Sequence, residues 1–162
     1  MFYQKATLIR KWAQKGKQPN VISPPGREKT GYFGMVNLKT GRLLTENADK
    51  FDQDSFKYFL DTVLSYVKEE EKMIVILDNA KWHHSKRIQA FVQKHYDRLE
   101  LLFLPPYSPE LNPIERVWKL TRKLVTHNRY FGTIHTMICD LMYQFFWWNI
   151  PNDTLRTLCA SI

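Results

Sequence analysis

The sequence predicts a single α/β domain, and three patterns carry that prediction. Tyr32 to Thr45 reads as a β-hairpin, Met73 to Leu77 is an apolar run too short for a typical helix, and a strand–helix–strand order follows from that run to Leu104. With 162 residues, 44% of them hydrophobic, the chain is long enough to bury one core of its own.

The elements follow in order. Residues 1 to 30 mix basic, glycine and proline residues without a sustained period, and Pro24-Pro25-Gly26 reads as a turn. Tyr32 to Leu38 is rich in strand formers, and Lys39-Thr40-Gly41 turns the chain into Arg42 to Thr45. Phe56, Phe59, Leu60, Val63, Leu64 and Val67 then recur at helical spacing, with Asp52 or Asp54 available as the cap. The run Met73 to Leu77 is expected to be a strand buried on both faces by flanking helices, so Asp78 emerges at its carboxyl end. Ile88, Phe91, Val92 and His95 mark a second helix, and Leu99 to Leu104 a strand that Pro105-Pro106 stops. A right-handed crossover with parallel pairing is the expected connection. Asn112 then caps a helix with Pro113 at its first position and Ile114, Val117, Trp118, Thr121, Leu124 and Val125 on its inward stripe. A last helix from about Thr133 carries Ile134, Met137, Ile138, Leu141, Met142 and Phe145 on one side. The cluster Phe145-Phe146-Trp147-Trp148 has apolar residues on more than one helical face, which suits a deep core position or a partner surface, and core is the preferred reading. The chain contains no repeat.

Lysine and arginine number 24 against 16 acids, a formal charge of +8, which favours a polyanionic partner such as DNA or RNA. Cys139 and Cys159 lack metal-binding spacing and read as reduced packing residues. The start lacks the apolar stretch of a signal peptide, and Leu141 to Ile150 is too short to cross a bilayer, so the expected compartment is the cytoplasm.

Two acids stand out. Open sheets bind ligands beyond the carboxyl ends of their strands, where Asp78-Asn79-Ala80-Lys81-Trp82-His83-His84-Ser85 is placed. Carboxylates so placed can hold magnesium, which prefers hard oxygen ligands. Asp78-Asn79 is equally an ordinary turn sequence, and Glu115, third after the cap Asn112, suits a capping box; the positive end of that helix also keeps a carboxylate ionised. Lys81, Lys86 and Arg87 follow the first acid, and Arg116, Lys119, Arg122 and Lys123 the second. These can grip phosphates, or form a solvated face with Lys119 paired to Glu115. Trp82, His83 and His84 are candidates for a base or phosphate contact, with packing the alternative for Trp82.

The two motifs, Asp78 to Ser85 and Leu104-Pro-Pro-Tyr-Ser-Pro-Glu-Leu-Asn-Pro-Ile-Glu-Arg-Val-Trp118, with 36 residues between the acids, resemble the catalytic core of DDE-type transposases. The likeness is to the mariner-like superfamily and its bacterial insertion-sequence branch. It implies a ribonuclease H-like fold, a mixed sheet flanked by helices. It also implies DNA strand cleavage and transfer by in-line attack on phosphodiesters, with two magnesium or manganese ions in the complete enzyme. Asp78 and Glu115 would be the second and third acids. DNA, as transposon ends and target, and a second copy of the chain when active are the implied partners. The family's first aspartate sits on an opening strand of which Met1-Phe2-Tyr3-Gln4 looks like the trailing part, and none of Asp49, Asp52, Asp54 and Asp61 fits its place. The helix-turn-helix region is likewise not matched, so the chain is expected to be an N-terminally truncated catalytic domain. A catalytically silent DNA-binding or assembly fragment is the alternative function, and a ribonuclease H-like nuclease a third.

Overall fold

The computed structural model describes residues 1–10, 12–17, 20, 21 and 28–160, and the turn expected at Pro24-Pro25-Gly26 lies outside them. Among these residues the chain forms β1 (Phe2–Tyr3), β2 (Lys29–Thr30), β3 (Tyr32–Val36), β4 (Leu43–Asn47), α1 (Gln53–Leu64), β5 (Met73–Leu77), α2 (Lys86–Lys94), β6 (Leu99–Phe103), α3 (Pro113–Thr121), α4 (Ile134–Trp148) and α5 (Asp153–Ala160).

The expected hairpin is present. β3 and β4 pair antiparallel from Tyr32↔Asn47 to Val36↔Leu43. Asn37 closes the reversal, its backbone bonded to Arg42 and Gly41 and its side chain accepting from the amides of Lys39 and Thr40. Gly41 sits at φ +71°, where a side chain is strained, and a Cβ there would strike the Asn152 carbonyl oxygen. Along β3 successive side chains point to opposite faces, so Tyr32 and Phe33 enter different apolar clusters. The first joins Phe2, Val117, Leu141, Phe145 and Leu155 of β1, α3, α4 and α5. The second joins Phe56, Leu60, Val75, Leu77, Ile88 and Leu99 of α1, β5, α2 and β6.

α1 buries Phe56, Phe59, Leu60, Val63 and Leu64, and ends before the half-buried Val67. Its cap is Asp52, whose carboxylate accepts from the amides of Asp54 and Ser55 while the Ser55 hydroxyl accepts from the Asp52 amide.

β5 and β6 pair in parallel from Met73↔Leu99 to Leu77↔Phe103, with α2 as the crossover. Their burial departs from expectation: α1 and α2 share one apolar cluster with Val75, Leu77 and Leu99, whereas Ile74 is 59% and Leu102 52% exposed. A five-residue apolar run has the same sequence whether one face or both are covered, and here both helices lie on the same face. The strands also pair as three separate twos, β1–β2 and β3–β4 antiparallel and β5–β6 parallel, instead of one continuous sheet.

α3 begins at Asn112 as expected and ends early. After Thr121 the backbone widens into the π-helical turn Arg122–Thr126, closed by His127 N–H to the Arg122 carbonyl at 2.7 Å. The wider turn shifts the phase of the stripe, so Val117, Thr121 and Val125 are buried but Leu124, expected inside, is turned out. α4 starts after its cap Thr133 and buries Met137, Leu141, Phe145 and Trp148. Met142, Phe146 and Trp147, read as inward or core, are exposed, because a helix long enough to carry both faces presents only the 137–141–145–148 line to the cluster. Cys139 is exposed on this outer side, so only Cys159 is a buried packing residue. α5 has no counterpart in the sequence pattern: its buried residues are Leu155 and Cys159, too few for a period, although Asn152 Oδ1 caps the Leu155 amide at 2.9 Å.

Candidate metal and nucleic-acid site

Asp78 leaves the sheet immediately after Leu77, whose carbonyl accepts from the Leu104 amide just past β6 (2.9 Å). Its Oδ1 accepts from the Ala80 amide at 3.2 Å and lies 3.2 Å from His83 Nδ1. The same nitrogen is 3.0 Å from the Asp78 carbonyl oxygen. The His83 hydrogen bond, aided by the Ala80 amide and opposed by partial burial, holds the Asp78 carboxyl below the usual aspartate range. The chain then makes a 3-10 turn, Lys81–His84, and Ser85 Oγ caps α2 by accepting from the Ile88 amide.

That turn decides the roles of its aromatic residues. His83 is buried, 8% exposed, with its ring 4.2 Å from that of Phe56, so it is not available to a base or phosphate. Trp82 packs against the second apolar cluster. His84 is exposed, stacks on Phe103 at 4.2 Å and places Nε2 3.3 Å from Asn79 Oδ1.

Glu115 is exposed on the first turn of α3. The capping box that its position suggests does not form: the Asn112 amide donates to the Pro109 carbonyl instead, while Asn112 Oδ1 accepts from the Ile114 amide. Among the described residues no hydrogen bond or ion pair engages the Glu115 carboxylate, and Lys119 does not pair with it. The Met1 amino group is held below its ordinary range first by burial and then by Arg122, and the Phe2 ring lies 5.8 Å from that of Trp118, so β1 starts beside α3.

The parallel pairing puts the carboxyl ends of β5 and β6 on one edge. Asp78 follows the first strand directly, and Glu115 follows the second through Leu104 and the proline-rich loop. Asn79 Nδ2 donates to the Leu104 carbonyl and stitches the two exits together. Among the described residues no group of three or more His, Cys, Asp or Glu gathers as a metal site. Two carboxylates are nevertheless a donor set that suits magnesium, which commonly takes one or two from protein and completes its octahedron with water and substrate phosphate.

The basic residues divide by their contacts. Lys81, Lys86, Lys119 and Lys123 are exposed, with no ion pair among the described residues. Arg87 Nε is paired with Asp54 of α1 at 3.0 Å, and Arg116 Nη1 donates to the Leu158 carbonyl of α5 at 3.2 Å, so both already hold elements together. Arg122 is half-buried in the π-helical turn. Tyr107, in the loop to Glu115, is fully exposed at φ +58°. Its only sequence signal is an aromatic residue set between prolines.

A family model described as DDE superfamily endonuclease matches residues 1–138. The chain belongs to that family. It is 24% identical over 117 residues to the insertion element IS630 uncharacterized 39 kDa protein of Shigella sonnei, a match covering 72% of the chain and 34% of that protein. To the transposable element Tc3 transposase of Caenorhabditis elegans it is 24% identical over 157 residues, 93% of the chain and 46% of the transposase. An uncharacterized protein, y4pE/y4sA of Sinorhizobium fredii, is 36% identical over 99 residues, 61% of the chain and 70% of that protein. Its fold matches the Mos1 transposase paired-end complex with left transposon end at a TM-score of 0.72 and 14% identity, over 99% of the chain and 48% of the solved one. The Mos1 strand transfer complex gives 0.69 at 13%, again over 99% and 48%. The expected ribonuclease H-like α/β fold is the one present. The chain spans less than half the length of the IS630, Tc3 and Mos1 proteins. No described helix of the chain is long and apolar enough to cross a membrane.

Proposed function

We propose that the chain is the catalytic domain of a DNA transposase, cleaving and joining DNA strands with Mg2+ or Mn2+ held by Asp78 and Glu115. What supports this reading is Asp78 directly after β5 and Glu115 on the helix that follows its parallel partner β6, in a chain of the DDE superfamily endonucleases. When bound, the divalent ion neutralises charge on a phosphodiester and makes an attacking hydroxyl more acidic. Asp78 and Glu115 hold that ion. The exposed Lys81, Lys86, Lys119 and Lys123 bind phosphates around it, with Arg87, Arg116 and Arg122 contributing where their present contacts allow. The partners are transposon ends and target DNA, with a second copy of the chain in the active assembly, in the cytoplasm. Related Mos1 paired-end complexes have been solved with Mn and with Mg, which supports the choice of ion.

Supercoiled DNA incubated with the chain and Mg2+ or Mn2+ tests the reading. Nicking is expected, and Asp78→Ala or Glu115→Ala should lower it by at least about 100-fold, the loss typical of a disrupted charge-stabilising site. Activity unchanged by both substitutions would refute it. A second reading, a silent DNA-binding or assembly fragment, is favoured by there being no group of three or more His, Cys, Asp or Glu side chains placed to hold a metal among the described residues. It predicts DNA retention without metal-dependent nicking. Cleavage of RNA–DNA hybrids in preference to DNA would indicate a ribonuclease instead.

A further inference from the structure

We infer that His83 is a positioning residue for Asp78, fixing the carboxylate so that one oxygen stays turned out toward a divalent cation. The inference rests on the proposed metal site and adds to it a residue that touches neither cation nor DNA. Nδ1 of His83 lies 3.0 Å from the Asp78 carbonyl oxygen and 3.2 Å from Asp78 Oδ1. The carbonyl oxygen can only accept, so Nδ1 must carry the proton, and the same N–H reaches Oδ1. The donor is itself immobile: the ring is 8% exposed, seated 4.2 Å from Phe56, with Trp82 edge-on at 5.7 Å. Asp78, by contrast, has a side chain 66% exposed, which without that donor keeps only the Ala80 amide to select one rotamer.

The neighbouring pair repeats the arrangement five residues apart. His84 Nε2 meets Asn79 Oδ1, and Asn79 in turn donates to the Leu104 carbonyl at the head of the loop to Glu115. One histidine thus anchors the acid and the next anchors the asparagine that ties its turn to β6. Removing a hydrogen bond that orients a metal-binding carboxylate typically costs about 10–100-fold in metal affinity.

The test uses Mn2+ alone, its free fraction read by electron paramagnetic resonance, on wild-type, H83N, H83Q and H83F chains. Asparagine places an N–H where Nδ1–H lies, whereas glutamine reaches the Nε2 position and phenylalanine has no donor. H83N should bind within about threefold of wild type, and H83Q and H83F about 10–100-fold more weakly. Metal-free unfolding temperatures of all four chains separate weakened packing against Phe56 from weakened positioning. Equal Mn2+ affinity in H83Q, H83F and wild type overturns the inference, and so does a long-range 1H–15N spectrum of the folded wild-type chain showing the His83 proton on Nε2. If Asp78→Ala and Glu115→Ala bind Mn2+ as wild type does, the metal site itself is refuted and the role of His83 falls with it.

Discussion

Carboxylates in this chain differ by the donors around them. Asp52, Asp78 and Glu115 all begin turns or helices, but Asp52 commits its carboxylate to the amides of α1, Asp78 shares one oxygen between Ala80 and His83, and Glu115 engages no donor within the described residues. The Asp52 carboxyl sits below the ordinary aspartate value of 3.8, first through the Ser55 backbone amide. A depressed folded value means that its stabilising effect is fully present above pH 3.8 and disappears as pH falls through the lower folded value. Asp52→Asn, which caps as well, should leave stability at pH 7 nearly unchanged while flattening that part of the acid limb; Asp52→Ala should lose the stabilisation at both. Urea midpoints against pH measure this, and an unchanged acid limb in Asp52→Asn would contradict it. The cap Asn112 was legible, and that of α1 was narrowed to Asp52 or Asp54, because capping needs only local spacing. The fate of His83 and Arg87 was not. His83 is decided by burial against Phe56, and Arg87 by Asp54 on another helix, neither of which spacing along the chain records.

At the scale of elements, Glu115 is placed by how closely α3 approaches the hairpin. Gly34 of β3 faces the Trp118 ring, and a Cβ there would come within 2.5 Å of it. Gly34→Ala should therefore displace Trp118 and cost about 1–3 kcal/mol, as overpacking does. It should also lower metal-dependent activity, because Trp118 lies one turn from Glu115 on α3. Denaturant unfolding checks the first expectation, and a midpoint equal to wild type would show that α3 gives way freely. The hairpin, α1, and the β5–α2–β6 unit were legible because their periods are complete within each segment. The exposed second face of β5 and β6, the outward Leu124 and Met142, and the whole of α5 were not. The first depends on which side α1 and α2 dock. Leu124 is turned out by a π-helical turn that changes the phase, Met142 by the single line that α4 buries, and α5 keeps only two buried residues in eight.

For the whole molecule, the formal charge of +8 predicts salt-dependent binding to DNA, and removing one phosphate-binding cation should lower the slope of log affinity against log salt by about 1. Lys81→Ala and Lys86→Ala should each lower that slope with little change in unfolding temperature. Arg116→Ala should instead destabilise the fold, since its guanidinium holds the Leu158 carbonyl of α5. Binding isotherms at several salt concentrations, paired with melting curves, separate the two classes. Slopes unaltered by both lysine substitutions would remove these residues from the DNA surface.

In the proposed site one cation is shared by Asp78, after β5, and Glu115, on the helix that follows β6. Adding Mn2+ to the 15N-labelled chain and following paramagnetic broadening of its amide signals tests this most directly. Asp78 to Ala80 and Ile114 to Arg116 should broaden together at the lowest Mn2+ concentrations, and Asp78→Ala should weaken both effects. Broadening confined to one of the two segments, and unaffected by substitution of the acid in the other, would contradict it.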